Sequence, residues 1–281
     1  MSAVAVLGPG AVGGALAVRL ATAGRRVVCV AREETAARIR AEGLALVAPD
    51  GETRAAPEAV DRLDEGVDVL LLTVKAPALE DALARVAVAP AVVVPLLNGL
   101  EHVDALRHRF DRVVAGSVSR FEAWRDGATT VRQATPELVV TLAEDLPALH
   151  ARGLTVRVEP DERALLWEKA ARLGPLAAAT AATGLAVGAL RDDPRRRDEL
   201  RGAIGEAVAV AAAEGVRLDA DAQWAIIVAM APTLTTSTAR DVAAGGPSEL
   251  DAVAGSIVRA GRRLGVPTPT LERLLAACPA S

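Results

Sequence analysis

Aromatic residues are almost absent from this sequence. Tyrosine does not occur, and aromatic residues make up only 2% of the 281 residues, although 51% of the residues are hydrophobic. We therefore expect cores built from Ala, Val and Leu, with helices packed closely through small side chains. The formal net charge is −4, and no one-sided basic stripe interleaved with aromatics is visible. This composition excludes a nucleic-acid-binding protein.

Cysteine, histidine and long apolar runs are also scarce. Cys29 and Cys278 stand far apart without a CxxC pattern, and the three histidines have no metal-ligand spacing. The longest weakly apolar run, residues 176–190, is short and interrupted by Thr and Gly. No export signal is visible at the N-terminus. We expect a soluble, cytoplasmic protein with no structural metal and no membrane partner.

The length of the chain predicts two domains. In the first half, helical stretches such as residues 12–23 and 78–87 alternate with compact runs rich in Val and Leu. The strand candidates are residues 3–7, 26–30, 67–74, 91–97, 112–118, 128–133, 137–142 and 154–158. This alternation predicts βαβ units and a mainly parallel, Rossmann-type doubly wound sheet.

From about Ala164 the pattern changes to Ala- and Leu-rich helical segments without strand-like runs of comparable strength. We place the boundary near Pro160, which predicts an α/β domain over residues 1–160 and an all-helical domain over residues 161–281. An Ala-rich helical domain could also supply a homodimer interface.

The motif VLGPGAVGG follows the first predicted strand and opens a helix. In that context Gly8 permits a tight turn, Gly10 a close approach of backbone to a pyrophosphate, and Gly13 close packing of helix on strand. A simple strand-to-helix turn is the alternative. The predicted dinucleotide-binding residues of this turn are Gly8, Pro9, Gly10, Ala11, Val12 and Gly13.

Arg32 lies just beyond the second predicted strand, about twenty residues past the glycines. An acidic residue near this point holds the ribose of NAD, whereas an arginine accommodates the 2′-phosphate of NADP. The sequence therefore predicts NADP (NADPH), although Glu33 and Glu34 are close and Arg32 could instead be an ordinary surface charge.

Two polar segments end later strands, where open α/β sheets bind ligands. Lys75 follows LLTV, and Asn98 and Gly99 follow VVVPLL. Each alone is weak, because a lysine in a loop is common and Asn-Gly is a frequent turn dipeptide.

Taken together, these blocks resemble the ketopantoate reductase (2-dehydropantoate 2-reductase) family over nearly the whole chain. The matching stretches are VLGPGAVGG, Arg32, LTVKA, the NG of LLNGLE, LLWEKAA, AATG at 181–184, TTSTARDVAAGGPSELDAVAG at 235–255 and GVPTPT at 265–270. The resemblance implies a Rossmann domain followed by a helical domain similar to that of 6-phosphogluconate dehydrogenase. It also implies NADPH-dependent reduction of a keto acid, 2-dehydropantoate, to its alcohol.

The resemblance also implies the site residues. Lys169 matches the catalytic lysine, which would stabilise negative charge on the carbonyl oxygen and supply its proton. Glu249 matches a catalytic carboxylate, Ser237 a substrate-binding serine, and Asn98 an asparagine between nicotinamide and substrate. The predicted substrate site consists of Asn98, Lys169, Ser237 and Glu249. Lys75, Asn98 and Ala123 complete the predicted cofactor site.

Each of these residues also has a purely structural interpretation. Glu249 follows Ser248 at a predicted helix start, which favours an acidic residue in any case. Ser237 stands in a Thr/Ser run that could cap a helix. Lys169 beside Glu168 could face solvent.

The helix after Lys169 departs from the family pattern. Residues 169, 173 and 177 share a face if the helix continues, and the family has asparagines at the last two positions. Here they are Leu173 and Ala177, with Gly174 and Pro175 between them. These two residues favour the alternative of a reductase of the same family acting on a more apolar 2-oxo acid or ketone. A non-catalytic NADP-binding sensor is a further alternative, and the presence of both Lys169 and Glu249 argues against it.

Overall fold

The computed structural model describes residues 2–279 and divides into two compact units. The first unit contains the chain up to Leu97 and His102–Leu165. The second contains Asn98–Glu101 and the chain from Leu166 onward. The short segment Asn98–Glu101 therefore packs with the helical half, although the sequence places it directly after a strand.

Within residues 2–279, the strands and four complete helices belong to the first unit. The strands are β1 (Ala3–Leu7), β2 (Arg26–Val30), β3 (Leu44–Ala48), β4 (Gly51–Ala55), β5 (Glu58–Val60), β6 (Val69–Leu72), β7 (Val92–Pro95), β8 (Gly116–Ser119), β9 (Ala123–Asp126), β10 (Thr130–Gln133), β11 (Val139–Leu142) and β12 (Thr155–Val158). The helices are α1 (Ala11–Thr22), α2 (Glu33–Glu42), α3 (Leu79–Leu83) and α4 (His102–Arg107).

A five-stranded parallel sheet with the order β5-β2-β1-β6-β7 forms the centre of this unit. The chain turns to one side of β1 to form β2 and later crosses to its other side to form β6. The switch in strand order therefore lies between β1 and β6, and open parallel sheets bind ligands at the carboxyl ends of such strands. The predicted Rossmann-type fold is confirmed.

The sheet forms because its strands are continuous apolar runs. Val4, Val6 and Leu71 are fully buried, as parallel strands covered on both faces require. Leu16 and Leu20 of α1 belong to the same core. This continuous apolar pattern is the signal that made β1, β2, β6 and β7 predictable.

Two smaller sheets complete the unit, with orders β4-β3-β10-β9 and β12-β11-β8. Four strands, β3, β4, β5 and β9, and the helices α2 and α4 were not among the predicted elements. Strand β4 is largely exposed and has the polar sequence GETRA, so its pairing with β3 rather than its own pattern holds it in place. The predicted strand 112–118 is observed as β8 alone, and the predicted helix 78–87 is a 3₁₀ turn, Ala76–Ala78, followed by the short α3.

The second unit is helical, as predicted. Its helices are α5 (Glu162–Thr183, which begins in the first unit), α6 (Val187–Asp192), α7 (Pro194–Ala213), α8 (Ala220–Val228), α9 (Ser237–Ala243), α10 (Ser256–Leu264) and α11 (Pro269–Ala276). A π-helical segment, Asp251–Gly255, leads into α10.

Helix α5 runs through Pro175 without interruption. A Cβ at Gly174 would lie 2.5 Å from Cδ1 of Ile257 and 3.2 Å from the carbonyl oxygen of Val253. Glycine therefore lets α5 approach the π segment and α10 closely, so Gly174 has a packing role. Residues 169, 173 and 177 consequently do lie on one continuous helix, four residues apart.

Within residues 2–279, no helix is both long and apolar enough to cross a membrane.

Candidate functional site

The glycine turn is held at the switch point between β1 and β6. Gly8 has a φ of +84°, and a Cβ there would lie 2.4 Å from Cγ1 of Val74. The Thr73 hydroxyl donates hydrogen bonds to the carbonyl oxygens of Leu7 (3.0 Å) and Gly8 (2.8 Å). A Cβ at Gly13 would lie 2.3 Å from the Thr73 Oγ1. Glycine is therefore required at both positions by the turn and by the packing of α1.

The space around Gly10 is open, whereas that around Gly8 and Gly13 is crowded. A Cβ there would meet nothing closer than the Gly8 carbonyl oxygen at 3.9 Å, so one side of the turn is open. Gly10 is the N-cap of α1 and offers no side chain to the first helical amides, those of Ala11, Val12 and Gly13. An open glycine turn facing the positive end of a helix fits a pyrophosphate. Pro9, buried in the same turn, contributes no amide donor.

Arg32 is the exposed N-cap of α2, two residues beyond the end of β2. The neighbouring carboxylates are engaged elsewhere, since Glu33 pairs with Arg40 at 2.6 Å and Glu34 with Arg38 at 3.2 Å. Because both glutamates are paired with other arginines, they compete less with a bound anionic group for Arg32.

The remaining predicted cofactor residues of the first unit lie in different places. Lys75 is exposed and is the N-cap of the 3₁₀ turn after β6, near the switch point. Ala123 begins β9, on the edge of the four-stranded sheet, and packs against the core.

In the second unit, Asn98 and Glu249 are in contact. The Asn98 amide nitrogen Nδ2 donates to Oε2 of Glu249 at 3.1 Å. Glu249 is 5% exposed, although it directly precedes a helical segment, where an acidic residue normally faces solvent. The structural interpretation of Glu249 as a helix-start residue therefore accounts for its position but not for its burial.

Gly99 makes this contact possible. Its φ is +110°, and a Cβ there would lie 2.3 Å from the carbonyl oxygen of Ala252, in the π segment that follows Glu249. Backbone this close excludes every side chain, and single π-helical turns occur frequently at functional sites.

Lys169 lies in α5, next to the fully buried Trp167 and Ala170, and is itself half-buried. The pKa of Lys169 is lowered to about 8, chiefly by burial; the negative charge of Glu249 opposes this lowering, and the positive charge of Arg172 adds to it. A solvated surface lysine would keep its ordinary pKa. Only two of the 32 Lys and Arg residues in the sequence are lysines, so a lysine here is unusual for this chain.

Ser237 is the first residue of α9 and is exposed. The cap of that helix is Thr236, whose hydroxyl accepts the Ala239 amide at 3.1 Å and also bonds the Thr180 hydroxyl at 2.8 Å. The predicted capping role therefore belongs to Thr236, which leaves the Ser237 hydroxyl available for a ligand.

Leu173 is half-buried and Ala177 is fully buried. Neither offers a hydrogen bond, so the face of α5 after Lys169 is aliphatic.

Two residues that the sequence-based prediction overlooked are Thr73, which holds the glycine turn, and Arg172. The Arg172 guanidinium donates to the Gln223 side chain at 2.6 Å. Its spacing of three from Lys169 was the available signal, since residues three apart are neighbours on a helix. Within the described chain, no group of three or more His, Cys, Asp or Glu side chains is arranged to hold a metal ion.

Known protein families match both halves of the chain. Residues 4–144 match the model of the family described as ketopantoate reductase PanE/ApbA, and residues 161–280 match its C-terminal counterpart. The 2-dehydropantoate 2-reductase of Mycobacterium tuberculosis is 32% identical over 97% of this chain and 95% of its own length. That of Caulobacter vibrioides is 32% identical over 98% of each chain.

Solved structures show the same fold. The PanE/ApbA family ketopantoate reductase of Ralstonia eutropha JMP134 has a TM-score of 0.86 and 31% identity, covering 98% of this chain and 96% of its own. A D-mandelate dehydrogenase has a TM-score of 0.88 at 22% identity, covering 98% of this chain and 96% of its own, which shows a shared fold. The chain thus belongs to the ketopantoate reductase family and is a nicotinamide-dependent oxidoreductase acting on a CH–OH group.

Proposed function

We propose that this protein reduces 2-dehydropantoate to pantoate with NADPH, and that Lys169 supplies the proton. The observation that carries the proposal is the half-buried Lys169, which shares its surroundings with the carboxylate of Glu249. Relatives about 32% identical over nearly the whole chain are named for this reaction, which supports the choice of substrate.

The ammonium of Lys169 suits proton donation to a carbonyl oxygen. NADPH, when bound, supplies the hydride that makes this oxygen negative. An ammonium beside the oxygen stabilises the developing charge and then neutralises it by transferring a proton. Because the pKa of Lys169 is about 8, the residue is mainly charged at neutral pH yet gives up its proton far more readily than a solvated lysine. An arginine could not replace it, because the guanidinium does not deprotonate.

Glu249 and Asn98 position the reacting groups. The negative charge of Glu249 favours the ammonium form of Lys169. The hydrogen bond from Asn98 to Glu249 fixes the orientation of both side chains. We assign Glu249 to substrate and lysine orientation, Asn98 to the boundary between nicotinamide and substrate, and the exposed Ser237 to substrate binding.

The choice of NADPH over NADH depends on Arg32. Its position just beyond β2 supports this choice, because dinucleotide-binding folds hold the adenosine ribose near the end of that strand and a guanidinium suits a 2′-phosphate. The open turn at Gly10 and the N-terminus of α1 would hold the pyrophosphate. We also propose Lys75 and Ala123 as cofactor contacts, and a homodimer as the assembly.

A more apolar 2-oxo acid is the second candidate substrate. The aliphatic Leu173 and Ala177 favour it, because neither could pair with the hydroxyl group of 2-dehydropantoate. A substrate hydroxyl left without a partner in a buried site costs about 1–3 kcal/mol.

The test is NADPH and NADH oxidation with 2-dehydropantoate and a panel of 2-oxo acids, by wild type and Lys169→Ala. We expect saturable reduction that falls about 10²–10⁴-fold in Lys169→Ala, the usual contribution of a general acid. Arg163→Ala, which removes an exposed cation of the same helix, is the control and should retain activity. Wild-type activity on other oxo acids alone would select the second candidate. No turnover with any substrate would leave only the NADP-binding sensor, and full activity in Lys169→Ala would refute the role of the lysine.

A further inference from the structure

Arg172 lies one helical turn beyond Lys169 and is half-buried. Its Nη1 contacts the carbonyl oxygen of Glu168 at 3.4 Å, so the guanidinium bends back toward the turn that carries Lys169. The charge of Arg172 also acts on Lys169 and lowers its pKa. Arg172 and Lys169 therefore present two positive charges in the same part of the second unit.

Within residues 2–279, Glu249 is the one buried carboxylate that acts on these two cations. Glu249 interacts with Lys169, whereas the carboxylate that acts on Arg172, Glu168, is exposed. Among the residues that the structure describes, no carboxylate forms an ion pair with Arg172. Burial lowers the pKa of Arg172, which shows that the surroundings penalise its charge. A partly buried cation without an ionic partner is costly, and an anionic ligand would remove that cost.

The guanidinium is held in place by a neutral partner. Its Nη1 donates at 2.6 Å to Oε1 of Gln223, which is 4% exposed on α8. A guanidinium has five N–H donors, and these two contacts both involve Nη1. Gln223 therefore fixes the orientation of Arg172 without neutralising it, and donors remain for a carboxylate in the planar, two-point geometry that arginine favours.

We propose that Arg172 is a specificity-determining residue that pairs with the carboxylate of the substrate, so that the site accepts 2-oxo acids in preference to neutral ketones. The inference rests on the proposed function, in which Lys169 acts on the keto oxygen. In a 2-oxo acid the carboxylate is bonded directly to the keto carbon, and side chains three apart on a helix have Cβ atoms only about 5–6 Å apart. The aliphatic Leu173 then contacts the remainder of the substrate, and no amide is needed at that position.

The experiment compares an acid with its neutral analogue. Calorimetric titration of the protein, saturated with NADP⁺ to prevent turnover, measures the binding of 3-methyl-2-oxobutanoate and of 3-methyl-2-oxobutanamide. The proteins are wild type, Arg172→Gln, Arg172→Lys and the control Arg262→Gln, which removes an exposed arginine of α10. We expect wild type to prefer the acid, and Arg172→Gln to lose about 10- to 100-fold in affinity for the acid and little for the amide. Arg172→Lys should retain part of the preference, and the control all of it.

Three results would overturn the inference: no wild-type preference for the acid, unchanged acid affinity in Arg172→Gln, or an equal loss for acid and amide. Should Arg172→Gln fail to fold, Gln223→Met provides the same test, because it releases the guanidinium from its 2.6 Å hydrogen bond and should weaken acid binding selectively. NADPH oxidation separates the two proposals. If Arg172→Gln selectively loses affinity for the acid but the wild type turns over no substrate, only the proposed function is refuted. If the wild type reduces the substrate but Arg172→Gln shows no selective loss of acid affinity, the role of Arg172 is refuted.

Discussion

Asn98 donates a 3.1 Å hydrogen bond to Glu249, a residue 151 positions later in the sequence. The contact joins the loop that follows the last strand of the parallel sheet to the residue that precedes the π-helical segment. The same carboxylate raises the pKa of Lys169 against the opposing effect of burial. The buried carboxylate of Glu249 therefore both orients the side-chain amide of Asn98 and affects the protonation of Lys169.

The pH dependence of reduction should report this link. The pKa of Lys169 is about 8, so kcat/KM should be constant at neutral pH and fall tenfold per pH unit above about 8, as the ammonium is lost. Glu249→Gln removes the charge that raises this pKa, so the alkaline fall should begin at lower pH. Arg172→Gln removes a charge that lowers it, so the fall should begin at higher pH.

The measurement is a kcat/KM profile for wild type and both variants. The direction of each shift is the readout, since loss of positioning alone would lower the whole profile without moving it. An identical alkaline limb in all three proteins would refute the assignment of that limb to Lys169.

Gly99→Ala should separate the Asn98 loop from Glu249. The φ of +110° and the 2.3 Å approach of a Cβ to the Ala252 carbonyl oxygen both oppose a side chain. Strain of this kind costs about 1–3 kcal/mol, and the loop can escape it only by moving. We expect a lower Tm and a large fall in kcat.

The control for Gly99→Ala is Gly215→Ala. Gly215 has a φ of +89°, and a Cβ there would meet nothing within 4 Å, so alanine at this position adds backbone strain without a clash. It should lower the Tm but leave kcat intact. Equal kcat values for the two variants would show that the position of Asn98 does not matter for turnover.

The sequence predicted those parts of the protein whose signals are local. The glycine turn was recognisable because an apolar strand, three spaced glycines and a helix follow one another within twenty residues. Strand β4 was missed because its residues GETRA are polar and exposed, and only pairing with β3 makes them a strand.

Contacts between residues far apart in the sequence were harder to predict. The resemblance to a family named Asn98 and Glu249 together, but their contact depends on the close approach of Gly99 to Ala252, which no local pattern encodes. Arg172 was overlooked because an arginine in a helix normally faces solvent, and its contact with Gln223 of α8 joins residues 51 positions apart.

Arg32→Ala should weaken NADPH selectively. The guanidinium is exposed at the end of β2, and the nearby Glu33 and Glu34 are paired with other arginines. Loss of a charge-assisted contact to the 2′-phosphate should raise the KM for NADPH about 10- to 100-fold and leave that for NADH unchanged. Steady-state kinetics with both cofactors give the ratio, and Arg54→Ala, an exposed arginine of β4, is the control. Equal changes for NADPH and NADH would contradict a 2′-phosphate contact.

Alanine at Gly10 and at Gly13 should have opposite effects, because the same turn is open at one position and closed at the other. At Gly10 the φ is −77° and a Cβ has 3.9 Å of clearance, so Gly10→Ala should fold with an unchanged Tm. Its methyl group would nevertheless occupy the space that a pyrophosphate needs, and we expect NADPH affinity to fall at least about tenfold.

At Gly13 a Cβ would lie 2.3 Å from the Thr73 hydroxyl and 2.6 Å from the Gly8 carbonyl oxygen. Gly13→Ala should therefore destabilise the first unit by about 1–3 kcal/mol, the usual cost of overpacking. Thr73→Ala in the same chain should restore part of that stability, because it removes the nearer of the two contacts. Thermal unfolding and fluorescence titration with NADPH distinguish the two glycines. A large loss of Tm in Gly10→Ala would show that this glycine serves the turn itself, and unchanged NADPH affinity would show that the pyrophosphate does not approach it.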